Sequence, residues 1–158
     1  MKNSKLKQIL IALSIPLLTG GIASLLTKND MKAFKNIAQP PLSPPQWLFP
    51  VVWSILYSMM GYASYLVYKE NDSPSDVKKA LALYCIQLIF NFGWTIIFFH
   101  FDTYYFAFAW LVVLWGLIIA TIKAFYNVNK TSAYLLIPYL LWVTFAGYLN
   151  LGVAILNN

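Results

Sequence analysis

Between residues 84 and 95, polar and aromatic side chains interrupt an otherwise apolar stretch of the chain. They lie at offsets of three, four, seven and eight, which place them on one face of a helix. Amide side chains in so apolar a segment are costly unless they face protein or a cavity. The members of this face are Tyr84, Gln87, Asn91, Trp94 and Thr95.

Two further apolar stretches repeat this pattern. Trp53 and Tyr57 lie four residues apart, and the same step separates Trp142, Ala146 and Asn150. If the three faces meet, they line a pocket that suits a large, planar, apolar ligand, because aromatic walls stack on it and a few polar groups orient it. However, polar faces also hold transmembrane helices together, and Trp and Tyr also occur at membrane surfaces. Spacing alone leaves a ligand site and helix packing both open.

Other chemistries lack the residues they need. His100 is the only histidine and Cys85 the only cysteine, whereas a metal site needs several His, Cys or carboxylate ligands. No ionisable residue lies deep in an apolar stretch, as a proton relay or ion pathway would require. Nothing in the spacing brings His100 to a serine nucleophile. The sequence therefore predicts no metal site, no hydrolytic centre and no required cofactor.

The composition indicates a membrane protein. Of 158 residues, 60% are hydrophobic and only 10% charged, with a mean hydropathy of +0.64; soluble domains are about a quarter charged. Spanning a bilayer takes about 20 apolar residues. The sequence predicts an all-α integral membrane protein, a single domain over 1–158 built as a bundle of five transmembrane helices. The predicted spans are 6–26, 47–68, 77–99, 104–126 and 133–156.

The first span has an alternative interpretation. Three lysines followed by an apolar run also fit a secretory signal peptide, cleaved near residues 20–23. Because the run continues to Leu26, a transmembrane helix is favoured. Pro16 and the Gly20–Gly21 pair would kink or thin this helix and let a neighbour approach closely.

The lysines predict the orientation. Eight lie on the side of the N-terminus and of the second and fourth loops, and three, Lys28, Lys32 and Lys35, lie on the other side. Since positive charge favours the cytoplasm, the N-terminus is predicted inside and the C-terminus outside. The lysines form no basic stripe, so no nucleic-acid partner is predicted.

The loop at residues 27–46 is long, and four prolines stiffen its end. Long loops in compact proteins are commonly functional covers. The sequence predicts a lid over the outer end of the bundle, with a stiff connector as the alternative. The predicted lid residues are Phe34, Ile37, Leu42, Pro44 and Pro45.

Three residue strings carry a family resemblance. The string PPQWLFPVVWSILYSMMGY, residues 44–62, resembles the second-helix signature of the TspO/translocator-protein family. QLIFNFGW, residues 87–94, followed by the pair 98–99, is similar to its third-helix motif. PYLLWVTFA, residues 138–146, with Tyr148 and Asn150 beyond it, is similar to its fifth-helix motif. The strings occur in family order and spacing, and they cover helices two to five with the loop before them.

The resemblance implies a bacterial member of the family, often a homodimer, whose five helices bind porphyrins such as protoporphyrin IX or haem. The pocket would lie between helices 1, 2, 3 and 5 under the first loop, and it would also take isoquinoline-carboxamide and benzodiazepine-type drugs. Motif match places Trp53, Asn91, Trp94, Trp142 and Ala146 in it. With the helical faces, the candidate ligand-binding residues are Phe49, Trp53, Tyr57, Gln87, Asn91, Trp94, Trp142, Phe145, Ala146 and Asn150.

The chain departs from the family pattern in two places. Where the family's first loop has a Trp-Tyr pair and a further tryptophan, this chain has Ala33–Phe34 and Leu42, which weakens expectations about lid contacts and affinity. After Tyr148 no basic residue follows, so the cholesterol pattern of mitochondrial members is not matched.

Three functions follow from these observations. The leading prediction is a sensory or tetrapyrrole-regulating protein of the bacterial cell membrane, with a tetrapyrrole and membrane lipid as partners. The first alternative is a light-dependent porphyrin-degrading enzyme, because the resemblance associates Trp53 and Trp142 with that activity in some bacterial members. The second is a tetrapyrrole transporter, although no broken-helix repeat of the transporter type is visible.

Overall fold

The computed structural model describes residues 2–157, and these residues are helical over most of their length. The all-α prediction is therefore confirmed for this part of the chain. The helices are α1 (Lys2–Leu26), α2 (Lys28–Phe34), α3 (Leu48–Tyr68), α4 (Pro74–Thr95) with a π-helical turn (Ile96–His100) at its end, α5 (Tyr104–Val128), α6 (Lys130–Leu135) and α7 (Ile137–Asn157).

Two predicted spans are less regular than expected. The predicted fifth span is two helices, because Pro138 has no N–H to bond to the carbonyl of Tyr134 and the helix breaks at Leu136. The third span ends in a wider turn, in which the N–H of Phe101 donates to the carbonyl of Ile96 at 3.3 Å. Such π-helical turns occur frequently at functional sites.

By length and composition, four of the described helical segments can cross a membrane: α1, α4 with its π-helical turn, α5, and α6 with α7. The remaining predicted span, 47–68, corresponds to α3, which has 21 residues and therefore a length of about 30 Å. Its serines and tyrosines lower its apolar content. The count of five spans is thus approximate, although α3 has the length to cross.

The long helices pack in a closed ring. In this ring α1 contacts α3, α3 contacts α6 and α7, α7 contacts α5, α5 contacts α4, and α4 returns to α1. Lipid tails are as apolar as leucine, so close van der Waals packing has to hold such a ring together. Its centre is filled by side chains that are almost fully buried, among them Met60, Ile118, Phe125 and Leu136.

Glycines set the approach of α1 to α3. At Gly61, an added Cβ would lie 2.7 Å from Cα of Leu13 in α1. At Gly20, it would overlap the ring of Tyr57, whereas Gly21 faces open space. The predicted close approach is confirmed at Gly20 and is wrong at Gly21. Since α1 runs unbroken from Lys2 to Leu26, it forms one wall of the bundle.

Replacing Gly61 by alanine should separate α1 from α3. The new methyl group meets backbone atoms of α1, which cannot rotate away, so we expect the free energy of unfolding to fall by about 1–3 kcal/mol. Gly116→Ala is the matched control, because nothing lies within 4 Å of a Cβ at that position. Thermal unfolding in detergent measures both. Equal stability of the two variants would contradict the proposed contact.

Candidate ligand-binding site

A cavity of about 230 Å³ lies between α1, α3, α4 and α7, and the loop between α1 and α3 closes one end of it. Side chains from every one of these elements reach its wall. The lining residues are Gly20, Ala23, Ser24, Met31, Phe34, Gln39, Ser43, Gln46, Phe49, Pro50, Trp53, Tyr57, Trp94, Thr95, Phe98, Phe99, Trp142, Ala146, Leu149, Asn150 and Val153.

The structure brings seven of the ten predicted ligand-binding residues to this cavity. Gln87, Asn91 and Phe145 do not line it. The ring of Phe145 packs against Trp142, with 5.6 Å between the ring centroids. The two amides lie in the core, almost fully buried. The seven lining residues are Phe49, Trp53, Tyr57, Trp94, Trp142, Ala146 and Asn150.

A buried hydrogen-bond network lies beside the cavity and includes both core amides, although Nε2 of Gln87 has no partner among residues 2–157. The Tyr57 hydroxyl donates to Oδ1 of Asn91 at 2.7 Å, and Nδ2 of Asn91 donates to the Tyr139 hydroxyl at 3.0 Å. The Tyr139 hydroxyl in turn donates to Oε1 of Gln87 at 2.6 Å. The network joins α3, α4 and α7. For Gln87 and Asn91, helix packing is therefore the interpretation that the structure favours.

The cavity tryptophans are held in different ways. Trp53 stacks on Tyr57, with 5.3 Å between the ring centroids. Nε1 of Trp94 donates to Oδ1 of Asn150 at 2.9 Å, and Nδ2 of Asn150 donates to the carbonyl of Tyr104 at 2.9 Å. Nε1 of Trp142 is buried and has no partner among residues 2–157. Buried donors without a partner are uncommon in folded proteins.

The loop contributes different residues from those predicted. Of the five predicted lid residues, Phe34 alone lines the cavity, and its ring packs against Phe98 and Phe99 with centroid distances of 5.4 Å to each. Ile37 packs in the same cluster, outside the cavity. Leu42 is 82% exposed, with a φ of 70°, and it does not line the cavity. Two further predicted residues, Pro44 and Pro45, also lie outside the lining.

Side chains of α7 fasten the loop to the bundle. Asn157 accepts from the N–H of Ala38 at 3.1 Å and donates to its carbonyl at 2.7 Å. The Tyr148 hydroxyl donates to the carbonyl of Pro41 at 2.7 Å. Because proline has no N–H, the proline-rich segment depends on such donors from elsewhere. The loop is therefore tied to α7 by the side chains of Asn157 and Tyr148.

A second fastening lies at the other side of the loop. Oδ2 of Asp30 in α2 is 3.2 Å from Nδ1 of His100 in the π-helical turn. Both side chains are accessible to solvent, so the pair contributes at most about 1 kcal/mol. It nevertheless fixes which part of the loop faces the turn that carries Phe98 and Phe99.

Comparison with known proteins identifies the family. The sequence model of the TspO/MBR family matches residues 12–156. The chain belongs to the TspO/MBR family. It is therefore an integral membrane protein, as its composition predicts, and the family resemblance of its motifs is confirmed.

Relatives in this family include bacterial and animal proteins. The tryptophan-rich protein TspO of Chlorobaculum tepidum is 35% identical over 156 residues, 98% of this chain and 99% of the relative. The tryptophan-rich sensory protein of Cereibacter sphaeroides is 36% identical over 94% of this chain and 88% of its own. The translocator protein of Bos taurus is 36% identical over 86% of this chain and 82% of its own.

Several cavity residues of this TspO/MBR protein had no clear signal in the sequence. Met31, Gln39, Ser43 and Gln46 come from the loop, where no periodicity shows which side chains turn inward. Phe98 and Phe99 reach the wall through the π-helical turn, which the apolar pattern does not reveal. On α1, Gly20 was a usable signal for a close approach and lines the cavity, whereas Gly21 does neither.

Tyr139→Phe should destabilise this TspO/MBR protein. The change removes one hydroxyl and leaves the Asn91 amide and the Gln87 carbonyl buried without it, each at a cost of about 1–3 kcal/mol. Unfolding in detergent, followed by circular dichroism, measures the loss. Tyr134→Phe is the control, because Tyr134 is 61% exposed and should change stability by less than about 0.5 kcal/mol. A Tyr139→Phe protein as stable as this control would show that the network contributes little.

Proposed function

We propose that this protein binds a tetrapyrrole, such as protoporphyrin IX or haem, in the cavity between α1, α3, α4 and α7. We further propose that it has a sensory or tetrapyrrole-regulating role in the bacterial cell membrane, with the loop on the outer side. The observation that carries the proposal is the aromatic cavity wall, to which Trp53, Trp94 and Trp142 all contribute.

The chemistry of the wall matches a flat, conjugated, mainly apolar ligand. Trp53, Trp94 and Trp142 present indole rings to one cavity, and such rings pack offset-stacked or edge-to-face on another aromatic system. The lining side chains described are all neutral, so the interior offers stacking and hydrogen bonds in place of ion pairs. A non-planar ligand would gain little from this wall.

The size of the cavity implies that the loop moves on binding. Its volume of about 230 Å³ is below the 300–1,000 Å³ or so of pockets for drug-sized ligands. The loop is fastened by hydrogen bonds from Asn157 and Tyr148, each worth about 1 kcal/mol net. Binding energy from stacking can offset their loss, so ligand occupancy would be coupled to loop position. Such coupling is what a sensor requires.

The names of relatives agree with this role at a coarse level. One relative is named a tryptophan-rich sensory protein, and others are named translocator proteins. Both names describe membrane proteins that respond to or handle a ligand, and the cavity supplies a place for one.

A titration in the dark tests the binding proposal. Protoporphyrin IX is added to the purified protein in detergent, and its own absorption band is followed, so that removing a tryptophan does not alter the signal. We expect saturable binding that weakens about three- to tenfold in Trp142→Phe, because phenylalanine keeps a ring and loses one hydrogen-bond donor.

Trp115→Phe is the matched control for this titration. Trp115 lies on α5, outside the cavity, and its Nε1 donates to Oγ1 of Thr144. Its loss should leave the affinity unchanged. Spectra that do not saturate in the wild type would refute the proposed function. An equal loss of porphyrin affinity in both variants would show that the ligand does not bind in this cavity.

Light-driven porphyrin degradation is the second candidate. Trp53 and Trp142 line the same cavity, so a porphyrin bound there would have both indoles within reach. An indole beside a photoexcited porphyrin is a potential one-electron donor, and dissolved oxygen would be the oxidant consumed. The stacked Tyr57 ring, 5.3 Å from Trp53, extends the aromatic group that could share the charge.

Illumination of the complex tests this second function. We expect the porphyrin absorption band to decay at least tenfold more slowly in Trp53→Phe and Trp142→Phe than in the wild type, with each protein fully loaded. Decay in Trp115→Phe should match the wild type. The same decay in all four proteins would show that bleaching is a property of the porphyrin and not of these tryptophans.

A further inference from the structure

We infer that the loop end of the cavity selects planar ligands that carry carboxylate groups along one edge, and that Gln39 and Gln46 bind those carboxylates. This inference rests on the proposed function and specifies the class of ligand. A tetrapyrrole would then enter with its apolar edge toward Trp53 and Tyr57 and its acidic edge under the loop.

The polar groups of the cavity lie unevenly. The end formed by α3 is lined by Trp53 and Tyr57, and the hydroxyl of Tyr57 is already bound to Asn91. At the loop end, the side chains of Gln39 and Gln46 line the wall. Both are partly buried, and within residues 2–157 neither side-chain amide has a hydrogen-bond partner. Each offers two N–H donors.

The hydroxyl groups of Ser43 and Thr95 are less available as donors, and Ser24, the other serine of the lining, lies on α1 and not on the loop. Oγ of Ser43 donates to the carbonyl of Pro40 at 2.7 Å, so its hydrogen is already used. Oγ1 of Thr95 faces the carbonyl of Asn91 at 3.4 Å. The glutamine amides are therefore the main donors that the loop presents to a ligand, and N–H donors bind a carboxylate more strongly than a neutral carbonyl.

The charge around the mouth favours the same ligands. Residues 27–46 contain Lys28, Lys32 and Lys35 and one acid, Asp30, which is paired with His100. None of these lysines lines the cavity. They would therefore attract an anion to the mouth of the cavity through an electric field that is weakened by salt. Inside the cavity, the anion would be bound by the glutamine amides and not by these lysines.

An uncharged ester of the same ring system is the discriminating probe. It keeps the planar apolar surface, yet it covers the two amides without offering them a charged acceptor. Hydrogen bonds to charged groups are stronger than neutral ones by an amount that corresponds to about tenfold in affinity. The preference for the diacid over the diester should therefore depend on Gln39 and Gln46.

The experiment compares protoporphyrin IX with its dimethyl ester, in the dark, on the full-length protein in one detergent. The quantity measured is the dissociation constant of the dimethyl ester divided by that of the diacid. Partitioning of each porphyrin into detergent then cancels when this ratio is compared between proteins. We expect the ratio to fall about tenfold or more in the double variant Gln39→Leu/Gln46→Leu. Gln8→Leu is the matched control, because Gln8 is exposed on α1 outside the cavity, and it should keep the wild-type ratio.

The outcomes separate this inference from the proposed function. An unchanged ratio in the double variant, with both porphyrins still bound, would overturn the role of the amides and leave porphyrin binding in place. Failure of both porphyrins to bind the wild type would refute the proposed function itself. A loss of diacid affinity in the double variant, with diester affinity retained and the helical circular dichroism signal intact, would establish the carboxylate site.

Discussion

The hydrogen bonds that join Tyr57, Asn91, Tyr139 and Gln87 control the arrangement of the site. In lipid, contacts between apolar surfaces differ little in energy when a helix rotates about its own axis. Buried polar groups, however, must find hydrogen-bond partners. The bonds therefore fix how α3, α4 and α7 are turned about their axes. Each of three network residues lies one helical turn from a cavity tryptophan: Tyr57 from Trp53, Asn91 from Trp94, and Tyr139 from Trp142. Turning any of these helices would move its indole out of the cavity.

The loop combines stiffness with few fastenings. Its prolines restrict the backbone and remove N–H donors, so its contacts with α7 come from the Asn157 and Tyr148 side chains and from Pro40, which packs on Gly152. A Cβ on Gly152 would lie 2.5 Å from Cβ of Pro40, so this contact also requires glycine. A stiff segment held at a few points can shift as a unit. Such a shift would let a ligand larger than the present cavity bind under the loop.

The helices and the tryptophans of the cavity wall could be predicted because a bilayer imposes simple rules on sequence. Long apolar stretches have to be helices, and a 3.6-residue period shows which side chains share a face. That period shows towards which side of the helix a residue points, but it does not show how far along the helix axis the cavity extends. Asn91 and Trp94 share a face, and the former lies below the cavity while the latter lines it. For Leu42 and the other loop residues the period gives no guidance, because contacts in an irregular loop follow no period.

The helices of this chain carry few polar side chains, and both helix packing and ligand recognition depend on them. Trp94 and Trp142 are equivalent by residue type and by spacing, yet Trp94 already donates to Asn150, and Trp142 has no partner within the described residues. A donor that holds two helices together is not available to a ligand. Specificity must therefore come from the groups that the fold leaves unpaired. In the deep part of the cavity that group is the indole of Trp142, and at the loop end it is the pair of glutamine amides.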